Sequence, residues 1–396
     1  MRRKTFLLLA GILPLPAIPC GAEDWPRWRG PEGNGISKET GWRPEAVAAA
    51  KPRWKASLGN GHSGVAVAGG RVFTMGNQGG NDIVYCFDEA TGKELWRHSY
   101  PCDPGNYPGP RATPVVDGDR VFTLGRQGDA FCLDAKTGKV VWKANLLAGG
   151  ARAPEWGLAG SPLVAGTLVL YNAGAHGVAL SKAGGQKAWS SPGGTCGYAT
   201  PVLFTLKGRE LLAVFGAKEV ALVDPKTGQK LGAFGWVTEY DVNAADPIPL
   251  EGRLFITSGY NRGCALLDVA AGLKPLWENK NLRCHFSTPV FMNGHLFGVD
   301  GNTGSGQLRC LDPRTGQPTW TQRGRFENLS AAGGKLLTID GGGTLKVVEA
   351  DPRAYKEIAQ ATVLPGGGTK WTAPILANGA VYCRNSGGDL VCLDVK

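Results

Sequence analysis

Eight side chains that could bind a small molecule occur just before short apolar runs. Most of these runs begin at a proline, and the segments before them read YPGPRATP, WGLAGSP, TCGYATP, YDVNAADP, RCHFSTP and KWTAP, with NGHSGV as the first equivalent. We name them the mouth segments. The candidate residues in them are His62, Arg111, Tyr198, Asp241, Asn243, Asp246, His285 and Trp371.

The chemistry of this set is that of ligand binding. The guanidinium of Arg111 can pair bidentately with a carboxylate or phosphate, while Trp371 or Tyr198 can stack on a planar ring or a sugar face. Two imidazoles, the carboxylates and an amide add hydrogen-bonding capacity. For His62 and His285 three roles stay open: a structural role, a ligand contact, and catalysis or metal binding. The wide spacing of His and Asp gives no metal-ligand motif.

Short strands must position these residues. The chain of 396 residues has 60 Gly and 26 Pro, with 42% hydrophobic and 19% charged residues. So much Gly and Pro disfavours long helices, and 12 Trp, 13 Phe and 9 Tyr are typical of a packed core rather than a disordered chain. Composition therefore predicts an all-β protein with many turns.

A repeat organises the chain. Residues 113–142 contain three short apolar runs, each ended by Gly or Asp, before a fourth run that begins at Lys139. The positions equivalent to Asp134 have a mean spacing of about 44 residues, the period of a four-stranded propeller blade. They are Asp88, Asp134, Ser181, Asp224, Asp268, Asp312, Glu349 and Asp394. We therefore predict one eight-bladed β-propeller of four-stranded antiparallel blades.

Each blade carries a recurrent turn and tryptophan. The anchor Asp can accept hydrogen bonds from the turn amides, and the Gly four positions later supplies a positive φ. A Trp follows the anchor by eight residues in four blades and by nine in a fifth, and we expect it to bury its ring against the next blade. Gly232 replaces this Trp in blade four and Arg353 replaces the Gly in blade seven, which predicts two weaker joints.

The ring is predicted to close through its N-terminal strand. The last repeat lacks a fourth strand, whereas Arg53-Trp54-Lys55 resembles the Trp-bearing strands of other blades. The expected organisation is a signal peptide over 1–22, an arm over 23–50 and the propeller over 51–396. For residues 25–41 we expect an arm on the outer wall, with a lid or plug of the channel as the alternative.

The propeller geometry brings the mouth segments together at one end of the central channel. Their convergence predicts a small-molecule pocket. Thr113, Thr200, Thr288 and Ser161 occupy equivalent positions before Pro, where we expect their hydroxyls to bond backbone groups at the channel neck. Asp246 stands at the Thr position of its blade and can replace those hydrogen bonds.

The N-terminal residues predict export. Arg2, Arg3 and Lys4 precede an apolar stretch from Phe6 to Ile18 and a small-residue site near Ala22, which is typical of a cleaved secretory signal. Cys20 leaves lipidation open. The net charge falls from +10 to +7 on cleavage, and no motif for nucleic acid or transmembrane segment occurs. We expect a periplasmic or secreted monomer.

The ten cysteines show no C-x-x-C pair. Four of them, Cys86, Cys132, Cys310 and Cys392, stand two residues before the anchor, where other repeats have hydrophobic residues, and are predicted to be buried packing residues. Cys102, Cys196 and Cys284 fall in or beside the mouth segments and are open to three interpretations: reactive thiols, buried packing or one loop disulfide.

The string Cys132-Leu-Asp-Ala-Lys-Thr-Gly-Lys-Val-Val-Trp142 resembles the A-x-D-x-x-T-G-x-x-x-W motif of PQQ-type β-propeller repeats, with Cys at the usual Ala. The resemblance covers residues 51–396. It implies two alternatives: quinoprotein alcohol dehydrogenases, which hold pyrroloquinoline quinone (PQQ) and calcium, and the propeller lipoprotein of the outer-membrane barrel-assembly machinery, which binds protein partners without a cofactor.

The first alternative implies a catalytic Asp, a calcium set and a disulfide between adjacent cysteines, and the sequence has no Cys-Cys pair. We therefore favour a non-catalytic scaffold, without a cofactor, that binds an envelope protein or a small ligand through its mouth loops. The alternative is a PQQ-dependent oxidoreductase with Asp241 or Asp246 as general base and Trp371 on the quinone. A carbohydrate-binding propeller is a third hypothesis.

Overall fold

A computed structural model describes residues 21–148, 150–302, 304 and 306–396. The predicted signal sequence up to residue 20, including Cys20, lies outside these residues. The described chain is almost entirely β: it contains 32 strands and two short 3-10 helices, Pro44–Ala49 and Glu239–Asp241. None of the helices in this part of the chain has the length and apolar character needed to cross a membrane.

The strands are numbered in chain order, and a blade counts its strands from the channel outwards. Before the first blade come β1 (Ile36–Ser37) and β2 (Pro52–Ser57). Blades one and two are β3 (Ala66–Ala68), β4 (Arg71–Gln78), β5 (Asn81–Asp88), β6 (Glu94–Pro101), β7 (Val115–Asp117), β8 (Arg120–Leu124), β9 (Asp129–Asp134) and β10 (Val140–Asn145). Blades three and four are β11 (Leu163–Ala165), β12 (Leu168–Tyr171), β13 (Val178–Ser181), β14 (Lys187–Ser190), β15 (Val202–Leu206), β16 (Arg209–Phe215), β17 (Glu219–Val223) and β18 (Lys230–Gly235).

The remaining strands form the second half of the ring. Blades five and six are β19 (Ile248–Leu250), β20 (Arg253–Ser258), β21 (Gly263–Asp268), β22 (Lys274–Asn279), β23 (Val290–Met292), β24 (His295–Asp300), β25 (Gly306–Asp312) and the first part of β26 (Gln317–Ala332). Blades seven and eight use the rest of β26, β27 (Lys335–Asp340), β28 (Thr344–Glu349), β29 (Glu357–Thr362), β30 (Ile375–Ala377), β31 (Ala380–Arg384) and β32 (Asp389–Asp394).

Sheet pairing confirms the predicted all-β propeller. Six four-stranded sheets and one eight-stranded sheet are present, and the large sheet is blades six and seven joined by the continuous strand β26, with β1 paired beside it. Every anchor position ends the third strand of a blade or directly follows it. The carboxylate of Asp134 accepts the amide N–H of Thr137 at 2.8 Å, and this contact and the Thr137 hydroxyl lower the pKa of Asp134.

Six tryptophans join neighbouring blades through one geometry. Each indole N–H donates to a backbone carbonyl in the turn of the next blade, as Trp142 does to Lys182 at 2.9 Å. In five of the six joints the ring lies against the turn glycine, so a Cβ at Gly185 would lie 2.7 Å from Trp142. Trp320 donates to Asp351 in a turn that has Arg353 instead of the glycine. The residues that donate in this way are Trp54, Trp96, Trp142, Trp189, Trp277 and Trp320.

Two joints lack this tryptophan. Gly232 pairs with Leu222 at the position where other blades have Trp, and a Cβ at the facing Gly272 would meet no atom within 4 Å. In blade seven the equivalent residue is Ala359. There Trp42 and Val47, next to and within the first 3-10 helix, pack with Ala359 in one buried cluster. The N-terminal arm thus covers the second joint, whereas at the first joint Trp236 and Phe234 pack in the buried cluster that spans blades four and five.

The predicted ring closure is confirmed. Strand β2 pairs antiparallel with β32 and becomes the outer strand of blade eight, with Trp54 opposite Cys392. Arg384 of the same blade is 1% exposed and donates to carbonyl oxygens of Gly61, Ser63 and Met75 in blade one. Backbone pairing and a buried guanidinium therefore hold the first and last blades together, which removes an open sheet edge.

The expectation that residues 25–41 pack on the outer wall is wrong for the first half of this segment. Trp25 pairs with Val67 on the inner strand of blade one, and the indole of Trp28 donates to Asp246 of blade five at 2.6 Å. Arg29, 8% exposed, donates to the carbonyls of Thr288 and Pro289 at blade six. These contacts place the first part of the arm against the channel side of blades one, five and six.

A series of five hydrogen bonds follows the channel neck from blade one to blade six. In blades one to five the amide N–H just before the inner strand donates to the side-chain oxygen of the equivalent residue in the next blade, at 2.8–3.0 Å. The donors and acceptors in order are Gly64, Thr113, Ser161, Thr200, Asp246 and Thr288. The predicted structural role of these hydroxyls is confirmed, and Asp246 substitutes for Thr as expected.

Candidate ligand-binding site at the channel mouth

The mouth segments converge on one cavity of about 390 Å³, within the range of small-molecule sites. Six of the eight candidate residues line it together with the neck residues Ser161 and Thr200. These six are His62, Arg111, Tyr198, Asp246, His285 and Trp371. The indole of Trp28, held by Asp246, belongs to the wall on the neck side.

Asn243 and Asp241 do not belong to this wall. The Asn243 side chain is fully buried and donates to the carbonyls of Gly216 and Ala217, while its oxygen accepts from Ser258. It fixes the loop before blade five and is a structural residue. Asp241 ends the short Glu239–Asp241 helix beside the cavity, and neighbouring Val242 and Ala244 line the wall instead.

Sequence reasoning missed several aromatic residues of the cavity. Tyr107, Trp156 and Phe286 stand in or next to the mouth segments, so their position in the repeat was a usable signal. Tyr260 belongs to the loop between β20 and β21, which opens on the same face. Trp28 had no such signal, because only the path of the arm through the channel brings it to the wall.

Nine rings form a continuous series around the mouth, which we name the aromatic arc. Successive ring centroids lie 3.6 to 6.1 Å apart, with His285 stacked on Phe286 at 3.6 Å and His62 stacked on Trp371 at 4.9 Å. In order the rings are Tyr198, Trp156, Tyr240, Tyr260, His285, Phe286 and Trp371, which contacts both His62 and Tyr107. Such a series presents flat apolar faces.

Three tyrosines of the arc have left-handed backbone conformations. The φ angles are 52° at Tyr107, 60° at Tyr240 and 50° at Tyr260. Non-glycine residues adopt this region at a cost of roughly 1–2 kcal/mol each, and such residues cluster at functional sites. Tyr107 and Tyr240 are each 56% exposed, so burial of their rings does not offset this cost. The strained loops therefore hold tyrosines at the rim.

Two guanidinium groups lie beneath one side of the rim. Arg111 donates to the carbonyls of Tyr107 and Gly109, and its burial and the nearby charge of Arg126 lower its pKa to about 10. Arg126 donates to the carbonyls of Asp103 and Trp156. No ion pair within 4.0 Å holds either arginine among the described residues. This side of the cavity favours a negative group.

Both cavity histidines are neutral at physiological pH. Burial lowers the pKa of His285 to about 4, and burial together with Arg111 and Arg384 lowers the pKa of His62 to about 3. His285 is 7% exposed, and neither of its ring nitrogens has a hydrogen-bond partner. Because a buried polar atom without a partner costs free energy, these nitrogens have unused capacity for a ligand.

The single carboxylate on the cavity wall already has partners. Asp246 accepts from the Trp28 indole and from the Thr200 amide, while burial raises its pKa to about 6. The charge of Arg29 opposes this rise. Asp246 therefore joins the arm to the neck, with one hydrogen bond on each carboxylate oxygen.

The cysteines near the mouth are packing residues. All nine cysteines among the described residues are free and buried. Burial raises the pKa of Cys102 and of Cys196 to about 12 and that of Cys284 well above its usual value. A thiol with a raised pKa is a poor nucleophile, so the interpretation as reactive mouth thiols is wrong. The packing prediction for the four repeat cysteines is confirmed.

The cavity does not fit PQQ with calcium. Calcium takes six to eight oxygen ligands, whereas the wall offers the one carboxylate of Asp246, which Trp28 and Thr200 occupy. Within the described residues no group of three or more His, Cys, Asp or Glu could hold a metal ion. The amide of Asn243 is turned to backbone carbonyls. The described wall residues thus lack the set of carboxylate and amide oxygens that would hold calcium.

Comparison with known proteins decides the family. Residues 43–101, 80–322 and 247–396 match the family described as outer membrane protein assembly factor BamB. The chain belongs to this family. A BamB-family relative, the outer membrane protein assembly factor BamB of Moranella endobia (strain PCIT), is 24% identical over 325 residues, which cover 74% of this chain and 77% of the relative. The resemblance to PQQ-type propellers is therefore confirmed.

Solved structures show the same fold. BamB from Moraxella catarrhalis superposes with a TM-score of 0.65 at 16% identity, covering 88% of this chain and 98% of that protein. The quinohemoprotein alcohol dehydrogenase from Comamonas testosteroni superposes with a TM-score of 0.74 at 13% identity, covering 96% and 81%. At these identities the similarity establishes the propeller architecture, which both branches share.

Proposed function

We propose that this BamB-family chain is a non-catalytic binding scaffold of the bacterial envelope that holds its partner through the mouth loops. The observation that carries the proposal is the strained, exposed tyrosine rim over a cavity whose single carboxylate is already bonded. Exposed aromatic rings on a rigid base are typical of binding surfaces. A PQQ-dependent dehydrogenase would instead need a calcium set and a carboxylate base that is not already bonded to the arm.

The predicted signal sequence and the name of the relatives support a location outside the cytoplasm and a role in outer-membrane protein assembly. The partner is then an envelope protein that the rim tyrosines contact. The neck hydrogen bonds and the arm keep the mouth rigid, which limits the conformational entropy lost on binding.

The test compares two double variants of exposed residues. Tyr107→Ser with Tyr240→Ser changes the rim, and Val141→Ser with Leu276→Ser changes the outer wall, where Val141 is 42% and Leu276 50% exposed. A deletion strain is complemented with each variant, and folded outer-membrane proteins and cross-linked partners are measured. We expect the rim variant to lose both and the wall variant to keep both.

Full complementation by the rim variant, with unchanged cross-links, would overturn the proposal. Melting temperatures of the purified variants serve as the folding control. The rim double variant and the wall double variant each remove two exposed side chains. Neither should therefore change the melting temperature by more than a few degrees.

A further inference from the structure

The cavity presents a positive site for an anion that the chain itself does not fill. Arg111 lines the cavity, and the like charge of Arg126 acts on it from outside the wall. Both guanidinium groups bond only backbone carbonyls. The Nε of Arg126 is buried without a partner. Asp82 acts on both at longer range but bonds the Asn77 amide. An incoming carboxylate or phosphate would supply the missing charge.

The wall next to this site presents neutral donors and acceptors. The two nitrogens of neutral His285 provide one donor and one acceptor, and both are unpartnered and buried. Ser161 and Thr200 accept amide hydrogens with their side-chain oxygens, which leaves their own O–H groups available on the cavity wall. Hydroxyl groups fit such a wall because each one can donate or accept.

The aromatic arc supplies the third element. Trp371, Trp156 and Tyr260 line the cavity, and a sugar ring has apolar C–H faces that stack on aromatic side chains. A flat aromatic anion could also stack, but it has no hydroxyls for His285 and the neck, and those buried groups would stay unpaired at a cost. The combination therefore favours a polyhydroxylated ligand with one charge.

We propose that the mouth cavity binds a saccharide that carries an anionic group, a carboxylate or a phosphate. Arg111 holds the anion with the nearby positive charge of Arg126 added to its own, Trp371 stacks on the sugar ring, and His285 with the neck hydroxyls bonds its hydroxyl groups. This proposal deepens the proposed function, on which it rests, because it assigns a ligand class to the same mouth.

Isothermal titration of the purified protein tests the ligand class. The probes are D-glucuronate, glucose 6-phosphate, glucose, benzoate and PQQ with calcium. We expect saturable binding of at least one acidic sugar, at least tenfold tighter than glucose and benzoate. Intrinsic tryptophan fluorescence should change with the same midpoint, because Trp28, Trp156 and Trp371 line the cavity.

Variants then assign the roles. Arg111→Gln should weaken the acidic sugar about tenfold to a hundredfold and leave glucose unchanged, and Arg111→Lys should lie between. Trp371→Ala should weaken both sugars about tenfold. Arg314→Gln, which removes an exposed cation paired with Asp312, is the charge control and should change neither.

Three results would overturn the inference: no binding of either acidic sugar at millimolar concentration, equal affinity for glucose and the acidic sugars, or tighter binding of benzoate or PQQ. Failure here is distinct from failure of the proposed function. If the rim variant still loses its protein partner while acidic sugars do not bind, the scaffold stands and only the ligand class is wrong.

Discussion

The outer wall and the mouth of the propeller are built from the same repeats but use them in opposite ways. On the wall, six indoles repeat one contact with the turn of the next blade. At the mouth the residues before each inner strand differ from blade to blade and meet in one aromatic arc. Repetition on the wall stabilises the ring, and variation at the mouth creates a site.

The wall itself contains an internal comparison. At the joint of blades one and two, Trp96 covers Gly138, whereas at the joint of blades four and five Gly232 leaves Gly272 uncovered. Both turn glycines have nearly the same φ, 72° and 75°. The residue that faces the turn glycine is Trp96 at one joint and Gly232 at the other, so variants at these positions test the contribution of the indole.

The largest expected effect is the loss of an indole from the wall. Trp142→Ala removes a buried ring, 7% exposed, and its bond to Lys182, and should lower the free energy of unfolding by about 3–5 kcal/mol. Urea unfolding measures this loss. Val141→Ala on the exposed face of the same strand is the control and should change stability by less than about 1 kcal/mol. Equal losses would contradict the role of the indole.

The second prediction concerns acid stability and the mouth. His285 has a folded pKa of about 4, below the ordinary value of 6.5. The unfolded chain therefore binds a proton first as the pH falls below 6.5, and stability declines until the folded pKa is reached. The total effect is up to about 3 kcal/mol, since one pKa unit corresponds to about 1.4 kcal/mol.

His285→Gln should therefore lose less stability than the wild type between pH 7 and pH 4, as measured by urea unfolding at each pH. Val141→Ala, which removes no titratable group, is the control and should keep the wild-type pH dependence. A glutamine variant with the same acid sensitivity as the wild type would show that His285 is not the group responsible.

The third prediction uses the two turn glycines as a matched pair. Gly138→Ala introduces a Cβ 2.6 Å from the Trp96 ring and should cost about 2–4 kcal/mol. Gly272→Ala meets no atom within 4 Å and should cost about 1 kcal/mol, from its positive φ alone. Thermal unfolding compares the two, and the prediction is refuted if their melting temperatures agree.

The smallest expected effect is a gain. Gly232→Trp would place an indole opposite Gly272, where the space is open, and should stabilise the joint by about 1 kcal/mol. The melting temperature measures the stabilisation. Gly232→Ala is the control, because it removes the glycine without adding an indole. A lower melting temperature in the tryptophan variant would mean that Leu231 and Phe234 already complete this joint.

The repeat explains what could be predicted. The period of the repeat determines the number of blades, because each copy supplies the strands of one blade. The last copy lacks a fourth strand, which indicates that an N-terminal strand pairs with β32 and closes the ring. Equivalent positions in the repeat also predicted that the neck hydroxyls bond backbone groups. Six of the eight candidate residues of the mouth segments line one cavity, as predicted from the same alignment. Asn243 was misplaced because a mouth segment specifies the loop but not which way each side chain turns.

The sequence by itself determined the fold and the end of the channel where the non-repeating residues meet, and it predicted a secretory signal. All three follow from the local spacing of residue types. Only the tertiary structure decided that Trp28 enters the channel, that Asp246 is already bonded and that two arginines lack a counter-charge. Those facts depend on contacts between residues up to 218 positions apart, which no periodicity encodes.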